Sequence, residues 1–195
     1  VKTVKQDNSD SLNKLALRRQ GLTRWHPAGA PLSVLDCCAG HRHIWGQLRT
    51  EFPVEKYVGI DKAVTGQGNI RLDSAIWLRS VRLATYDVID VDVYGDPWSH
   101  WMTILQRIER DTTVFLTEGI AGIGMSNISK AQLALAGIPQ HWAIPRSAVI
   151  REMLTDRCLQ TLFEYSLDCG GCLVSHSRFS DTRYYAVRLL MKKGQ

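Results

Sequence analysis

Leu32-Ser33-Val34-Leu35-Asp36-Cys37-Cys38-Ala39-Gly40 is the stretch that decides the fold. Its apolar residues, Leu32, Val34 and Leu35, run into Asp36 and then into small residues and Gly40. The segment beyond, through Ile44, Trp45, Gly46, Gln47 and Leu48, can be helical. A buried parallel strand that turns tightly into a helix N-terminus has this form. Such a turn lets backbone N–H groups approach a ligand and favours negative charge there. Two later segments share the plan of an apolar run closed by an acid: Tyr57-Val58-Gly59-Ile60-Asp61 and Tyr86-Asp87-Val88-Ile89-Asp90-Val91-Asp92.

Working outward, the pattern alternates. Strands are expected at 32–36, 57–61, 70–73, 86–92 and 113–118. Helices are expected around 43–51, 75–83, 98–109, 129–137 and 147–165. The segments 172–179 and 184–191 read as a closing β-hairpin. This order predicts an α/β domain, a parallel sheet with helices on both faces and a C-terminal antiparallel hairpin. Ahead of it, residues 11–20 read as a short helix, capped by Asp10 or Ser11 and stopped by Gly21. The division expected is a basic arm with helix and linker over 1–30 and one domain over 31–195.

The chain has 195 residues, 45% of them hydrophobic, enough for one sizeable core. No apolar run approaches the ~18 residues of a membrane span. The first ten residues lack the apolar stretch of a secretory signal. Five cysteines, an odd number with Cys37 and Cys38 adjacent, suit a reducing, cytoplasmic setting. A net charge of +5 permits a polyanionic partner without demanding one. Lys2, Lys5, Lys14, Arg18, Arg19 and Arg24 form the basic arm, which can contact phosphates without reading sequence. A solvated helix face explains the same charges nearly as well.

In an open α/β sheet, ligands bind at the carboxyl ends of the strands. Asp36, Asp61, Asp73 and Asp92 all fall at or just beyond such ends and would gather on one rim. Each taken singly is better read as a cap or turn residue, but four on one rim in this order point to a ligand site. Asp61 follows Asp36 by 25 residues, near the ~20-residue spacing at which an acid holds ribose hydroxyls. Gly40 is followed by His41, Arg42 and His43, so the glycine-rich pyrophosphate fingerprint is missing. A nucleoside ligand without phosphates fits better.

On these residues the chain resembles the class I, Rossmann-like S-adenosylmethionine-dependent methyltransferases. Val34–Gly40 is similar to their first motif, Val58–Asp61 to the second, whose acid binds ribose, and Leu72-Asp73-Ser74 to the third, which contacts adenine. The resemblance spans residues 31 to 191. It implies S-adenosylmethionine as cofactor, bound by Asp36, Ala39, Gly40, Asp61, Lys62, Asp73, Ser74 and Asp92, with no metal. Arg42 stands where the family often carries a second glycine. Asp92-Val93-Tyr94 resembles the motif of amino-directed members, with Val93 where proline is usual. Extended to Pro97, it is similar to the motif of tRNA guanine-N2 dimethyltransferases, two of six positions differing.

The resemblance implies N-methylation of an exocyclic amine of a nucleobase in RNA or DNA. Asp92 would accept an N–H of the amine and help localise its lone pair, and Tyr94 would stack on the base. A buried base would also need flipping or an unpaired substrate. Two other readings stand beside it: a non-catalytic methyltransferase-like binding protein or partner subunit, and a methyltransferase of a protein amide or a small molecule. Trp98, His100 and Trp101 can wall a base pocket or fill the core, and Glu118 closes the fifth strand on the same rim. The loop 119–125 can act as a lid or merely connect strand to helix. Cys169-Gly170-Gly171-Cys172 is a single CxxC, half of what a closed zinc site needs. Free thiols in a β turn are the expectation there.

Overall fold

The computed structural model describes residues 10–41, 43–63, 68–93, 95–119, 128–142, 148–178, 180 and 182–192. Seven strands form one sheet in the order β3-β2-β1-β4-β5-β7-β6. They are β1 (Leu32–Cys37), β2 (Val54–Asp61), β3 (Ile70–Arg71), β4 (Val88–Val91), β5 (Thr112–Glu118), β6 (Leu167–His176) and β7 (Arg183–Met191). The first five pair in parallel, and β7 runs antiparallel between β5 and β6. Every residue of β4 and β5 is buried, as befits central strands covered on both faces. The expected α/β sheet with an antiparallel C-terminal pair is therefore present.

Six helices flank the sheet: α1 (Ser11–Trp25), α2 (His43–Leu48), α3 (Ser74–Ser80), α4 (Trp98–Arg107), α5 (Lys130–Leu135) and α6 (Ala148–Gln160). Residues alternate between two cores because successive strand side chains point to opposite faces. On one face, Leu15, Leu17 and Leu22 of α1 and Trp45 and Leu48 of α2 meet Val34, Val88, Phe115 and Ala186. On the other, Trp98, Trp101, Ile104 and Leu105 of α4 meet Leu35, Ile89, Val91, Val114 and Leu116. Trp98 and Trp101 are fully buried and belong to this core. Of the two readings of these aromatics, packing is the one realised.

The N-terminal helix departs from expectation in length and in direction of its charges. Asp10 caps it, accepting from the Asn13 N–H at 3.2 Å. Gly21 does not stop it. A Cβ there would lie 3.0 Å from the Phe115 ring and 3.3 Å from the Ala186 Cβ. The glycine lets α1 sit close on β5 and β7. The helix ends instead at Trp25, two residues before Pro27, whose ring disfavours helical backbone in the residue ahead of it. Lys14 and Arg18 do not project as part of a basic arm. They are 6% and 1% exposed and turn inward onto the sheet. Arg19 remains at the surface, paired with Glu51 at 2.5 Å. Lys2 and Lys5 lie outside the described residues.

Candidate cofactor and substrate site

The turn after β1 is held by β2. Cys38 and Ala39 both donate their N–H groups to the Ile60 carbonyl, at 2.8 and 2.9 Å. The Gly40 N–H donates to Asp61 Oδ2 at 2.8 Å, and Asp61 Oδ1 accepts from the Ala63 N–H at 2.8 Å. Asn69 Nδ2 donates to the Gly40 carbonyl at 2.9 Å. Cys38 and Gly40 adopt positive φ, 70° and 47°; for Cys38 that is an uncommon, costly conformation. Each Asp61 oxygen keeps acceptor capacity after its backbone bond. A Cβ on Gly40 would meet nothing nearer than the Cys38 carbonyl at 4.0 Å, so the turn borders open space. An acceptor carboxylate beside a bare backbone turn suits a ribose-bearing ligand.

The turn depends on close packing behind it. A Cβ on Gly59 would lie 2.5 Å from Asn69 Oδ1, 3.0 Å from the Ala39 Cβ and 3.1 Å from the Tyr57 ring. Gly59→Ala is expected to cost about 1–3 kcal/mol of stability in urea unfolding, as overpacking does, and to release Asn69 from Gly40. Gly46→Ala is the control. It sits in α2 with nothing within 4 Å of the added carbon and should be neutral or stabilising by about 0.4–1 kcal/mol.

The third expected motif is engaged with its own chain. Asp73 caps α3 through the Ala75 N–H at 2.8 Å and pairs with Lys62 at 2.9 Å. The Lys62 ammonium, first, and the Ala75 N–H hold the Asp73 carboxyl below its ordinary pKa. Lys62 is 70% exposed, so the pair is readily opened. Ser74 is buried, its hydroxyl 2.9 Å from His100 Nε2 and 3.8 Å from Cys38 Sγ. His100 thus supports the turn from α4 rather than walling a pocket. Burial pushes the Cys38 thiol up to about 11, so it stays protonated at neutral pH and is no nucleophile.

Beneath the rim lies a buried charge cluster. Asp90 of β4 receives both Arg18 Nε and Nη2 at 2.6 Å, and Trp45 Nε1 at 2.8 Å. Lys14 Nζ reaches Asp92 Oδ1 at 2.9 Å and Oδ2 at 2.7 Å. Asp36 shares this face, 5% exposed, with the Tyr57 hydroxyl donating to its Oδ2 at 2.6 Å. Asp36 therefore points into the cluster beneath the turn. Burial works to raise the Asp92 pKa, but the Lys14 and Arg18 charges outweigh it and hold the acid ionised. For Asp36, burial and the nearby Asp90 charge push the pKa well up, against the Tyr57 hydrogen bond.

Those opposite directions separate in a titration. An acid whose pKa rises on folding binds its proton more tightly in the native state. Stability is then lost as pH rises from the unfolded value, ~4 for aspartate, toward the raised one. An acid whose pKa falls on folding supplies stability above its unfolded value, lost as pH drops through the lower folded one. The difference in unfolding free energy between wild type and Asp36→Asn is thus expected to shift against wild type from about pH 4 upward. The Asp92 contribution should vanish only below about pH 4. A flat difference for Asp36→Asn between pH 4 and 8 would contradict the assignment.

The structure thus connects Gly40, Asp61, Cys38 and Ser74 directly, puts the Lys62–Asp73 pair at the neighbouring strand ends, and ties Asp92 to the turn through its N–H to the Cys37 carbonyl at 3.3 Å. Glu118 is buried, accepting from Thr155 at 3.0 Å and Tyr185 at 3.1 Å. Tyr94, Arg42 and residues 120–125 of the lid segment lie outside the described residues. Sequence reading missed Lys14 as the partner of Asp92. The only signal was a cation on a helix whose apolar residues must face the sheet. Among the described residues no group of three or more His, Cys, Asp or Glu is arranged to hold a metal ion, and no helix is long and apolar enough to cross a membrane.

No protein-family model and no curated protein matches the sequence. Solved structures match by shape. Trm1 from Pyrococcus horikoshii, in complex with S-adenosyl-L-methionine, superposes with a TM-score of 0.62 at 14% identity, over 93% of this chain and 54% of that one. The present chain thus spans about half of that protein. A proposed hemolysin from Lactococcus lactis gives 0.60 at 13% identity over 97% and 91% of the two chains. TYW2 from M. jannaschii, in complex with AdoMet, gives 0.59 at 11% identity over 96% and 79%. At such identities the likeness is one of fold, and the sheet order and helical layers agree with it: the chain has the fold of the class I S-adenosylmethionine-dependent methyltransferases.

Proposed function

We propose that the protein is an S-adenosylmethionine-dependent methyltransferase acting on an exocyclic amine of a nucleobase in RNA or DNA. The observation that carries this reading is Asp92, an ionised carboxylate at the end of β4 adjoining the Gly40–Asp61 turn, with a side chain 23% exposed. Asp61, Gly40, Ala39, Lys62, Asp73 and the backbone at Ser74 would hold the nucleoside part of the cofactor, which supplies an electrophilic methyl group. Asp92 has acceptor capacity beyond its two contacts with Lys14. It accepts an N–H of a neutral amine and turns the nitrogen lone pair toward the methyl carbon. Tyr94 would stack on the base. Solved neighbours that carry the cofactor, Trm1 and TYW2, support the reading by their fold.

A specific observation favours a second reading, a methyltransferase-like binding protein without turnover. Lys14 contacts both oxygens of Asp92, and Lys62 holds Asp73. Calorimetry with S-adenosylmethionine and transfer of labelled methyl to tRNA, rRNA and DNA decide between the two. The proposal expects binding and labelling, with Asp92→Ala lowering transfer by about 100-fold, the scale of a mispositioned nucleophile. Binding without labelling of any nucleic acid selects the second reading, and labelling of protein or small molecules instead redirects the substrate class. Absence of cofactor binding overturns the enzyme reading.

A further inference from the structure

The CxxC segment does not lie in a turn. Strand β6 begins at Leu167, so Cys169, Gly170, Gly171 and Cys172 are all within it, on the sheet's outer edge. Cys169 pairs with Leu189 and Cys172 with Val187, the register slipping between Cys169 and Gly171. Three steps along β6 therefore match two along β7, which is a β-bulge. In a regular strand, residues three apart point to opposite faces. Here the bulge returns both cysteines to one face, that of Leu189 and Val187, which belong to the α4 core.

Each glycine has a reason to be there. A Cβ on Gly171 would lie 3.1 Å from the Trp25 indole, which covers the strand from the α1 side. A Cβ on Gly170 would lie 2.9 Å from the Arg188 side chain and 3.0 Å from Leu190. The bulge is built into the packing and holds the two cysteines to one face of β6. Both cysteines are free and exposed. Burial above all, and then the neighbouring Cys169 and Asp156 charges, push the Cys172 thiol up to about 11, so an ion bound there must displace its proton.

The spacing selects the chemistry. Two strand steps separate same-face Cβ atoms by roughly 6.6 Å. A disulfide wants them ~3.5–4.5 Å apart, so direct closure is disfavoured, while an ion between the sulfurs bridges the longer gap. A structural zinc site wants four ligands, and no third protein ligand of that kind converges among the described residues. Soft sulfur ligands with few partners suit a soft ion content with low coordination that can displace the thiol protons, of which Cu(I) is the physiological example. We propose that Cys169 and Cys172 form a surface dithiol site for a thiophilic ion of low coordination number, with Cu(I) as its probe. The site is separate from the rim at Gly40 and independent of any transferase activity.

The test uses the full chain, reduced and under argon. Cu(I) is offered as its bicinchoninate complex, and phenylarsine oxide, which needs two adjacent thiols, is scored by intact mass. The proposal expects one Cu(I) withdrawn from the chelator and one arsenical adduct, both lost in Cys169→Ser and in Cys172→Ser and both retained in Cys38→Ser. Circular dichroism of the two β6 variants should match wild type, since both positions are exposed. Retention of the bound ion and the adduct in either β6 variant, or no withdrawal by wild type, overturns the site. Rapid closure to a Cys169–Cys172 disulfide by oxidised glutathione, through thiol–disulfide exchange with release of two reduced glutathiones, overturns the bridged geometry.

Discussion

Arg18→Met is expected to lower the unfolding free energy by about 3–5 kcal/mol, the cost of leaving a buried ion without its partner. The change should read as a fall in the urea midpoint with an unchanged slope. Arg18 and Asp90 have side chains 1% and 2% exposed and meet through two bonds of 2.6 Å. Asp36 and Asp92 lie close enough to feel the same guanidinium. Removing it leaves three carboxylates on one face with only Lys14 to offset them. The loss should ease at low pH, where the acids protonate. Arg18→Met combined with Asp90→Leu should recover most of the stability, because a buried pair replaced by apolar groups of similar size is often near neutral. A double variant no more stable than Arg18→Met would mean that the guanidinium serves Asp36 and Asp92 more than Asp90.

Asp61→Ala is expected to weaken S-adenosylmethionine binding by about 10–100-fold, the worth of a hydrogen bond to a charged acceptor, 1.5–3 kcal/mol. Calorimetry reads it directly. The acid acts twice. It is the acceptor proposed for the ribose, and its two oxygens fix the Gly40 and Ala63 N–H groups at 2.8 Å each. Asp61→Asn keeps the shape, but its amide nitrogen must face one of those two donors, so one N–H loses its acceptor. It should therefore fall between wild type and alanine. Arg82→Ala is the matched control, since Arg82 is outside the proposed cofactor contacts and its pairing with Glu109 is largely solvated and worth at most about 1 kcal/mol. Undiminished binding by Asp61→Ala would remove the turn after β1 from the cofactor reading.

Together with Gly59→Ala and the Asp36 titration, these experiments separate two roles that the acids of this chain share. Asp61 and Asp73 sit at strand ends with solvated partners, where a ligand can compete. Asp36 and Asp90 lie one layer deeper, where Arg18 pairs with Asp90 and burial works against a charge on Asp36. Asp92 stands between, bonded to Lys14 on one side and partly open on the other.

The strand-and-acid plan is local chemistry and can be read from the residues alone. The strands expected at 32–36 and 86–92 are legible because central strands buried on both faces are largely apolar, and the one at 57–61 because its apolar run closes on an acid in the same way. Turn chemistry is equally local, so the acids at their ends and the Gly40 turn stand out without knowing what lies opposite. The C-terminal pair was legible too, though not the bulge that puts Cys169 and Cys172 on one face, since register depends on which β7 residue each meets. The directions of Lys14 and Arg18 were decided only by tertiary structure. Their partners lie 78 and 72 residues away. On an isolated helix these long cations read as surface charge. Once α1 lies on β5, β6 and β7, with Gly21 allowing close approach to Phe115, the uncompensated Asp90 and Asp92 leave each cation one low-energy direction, inward.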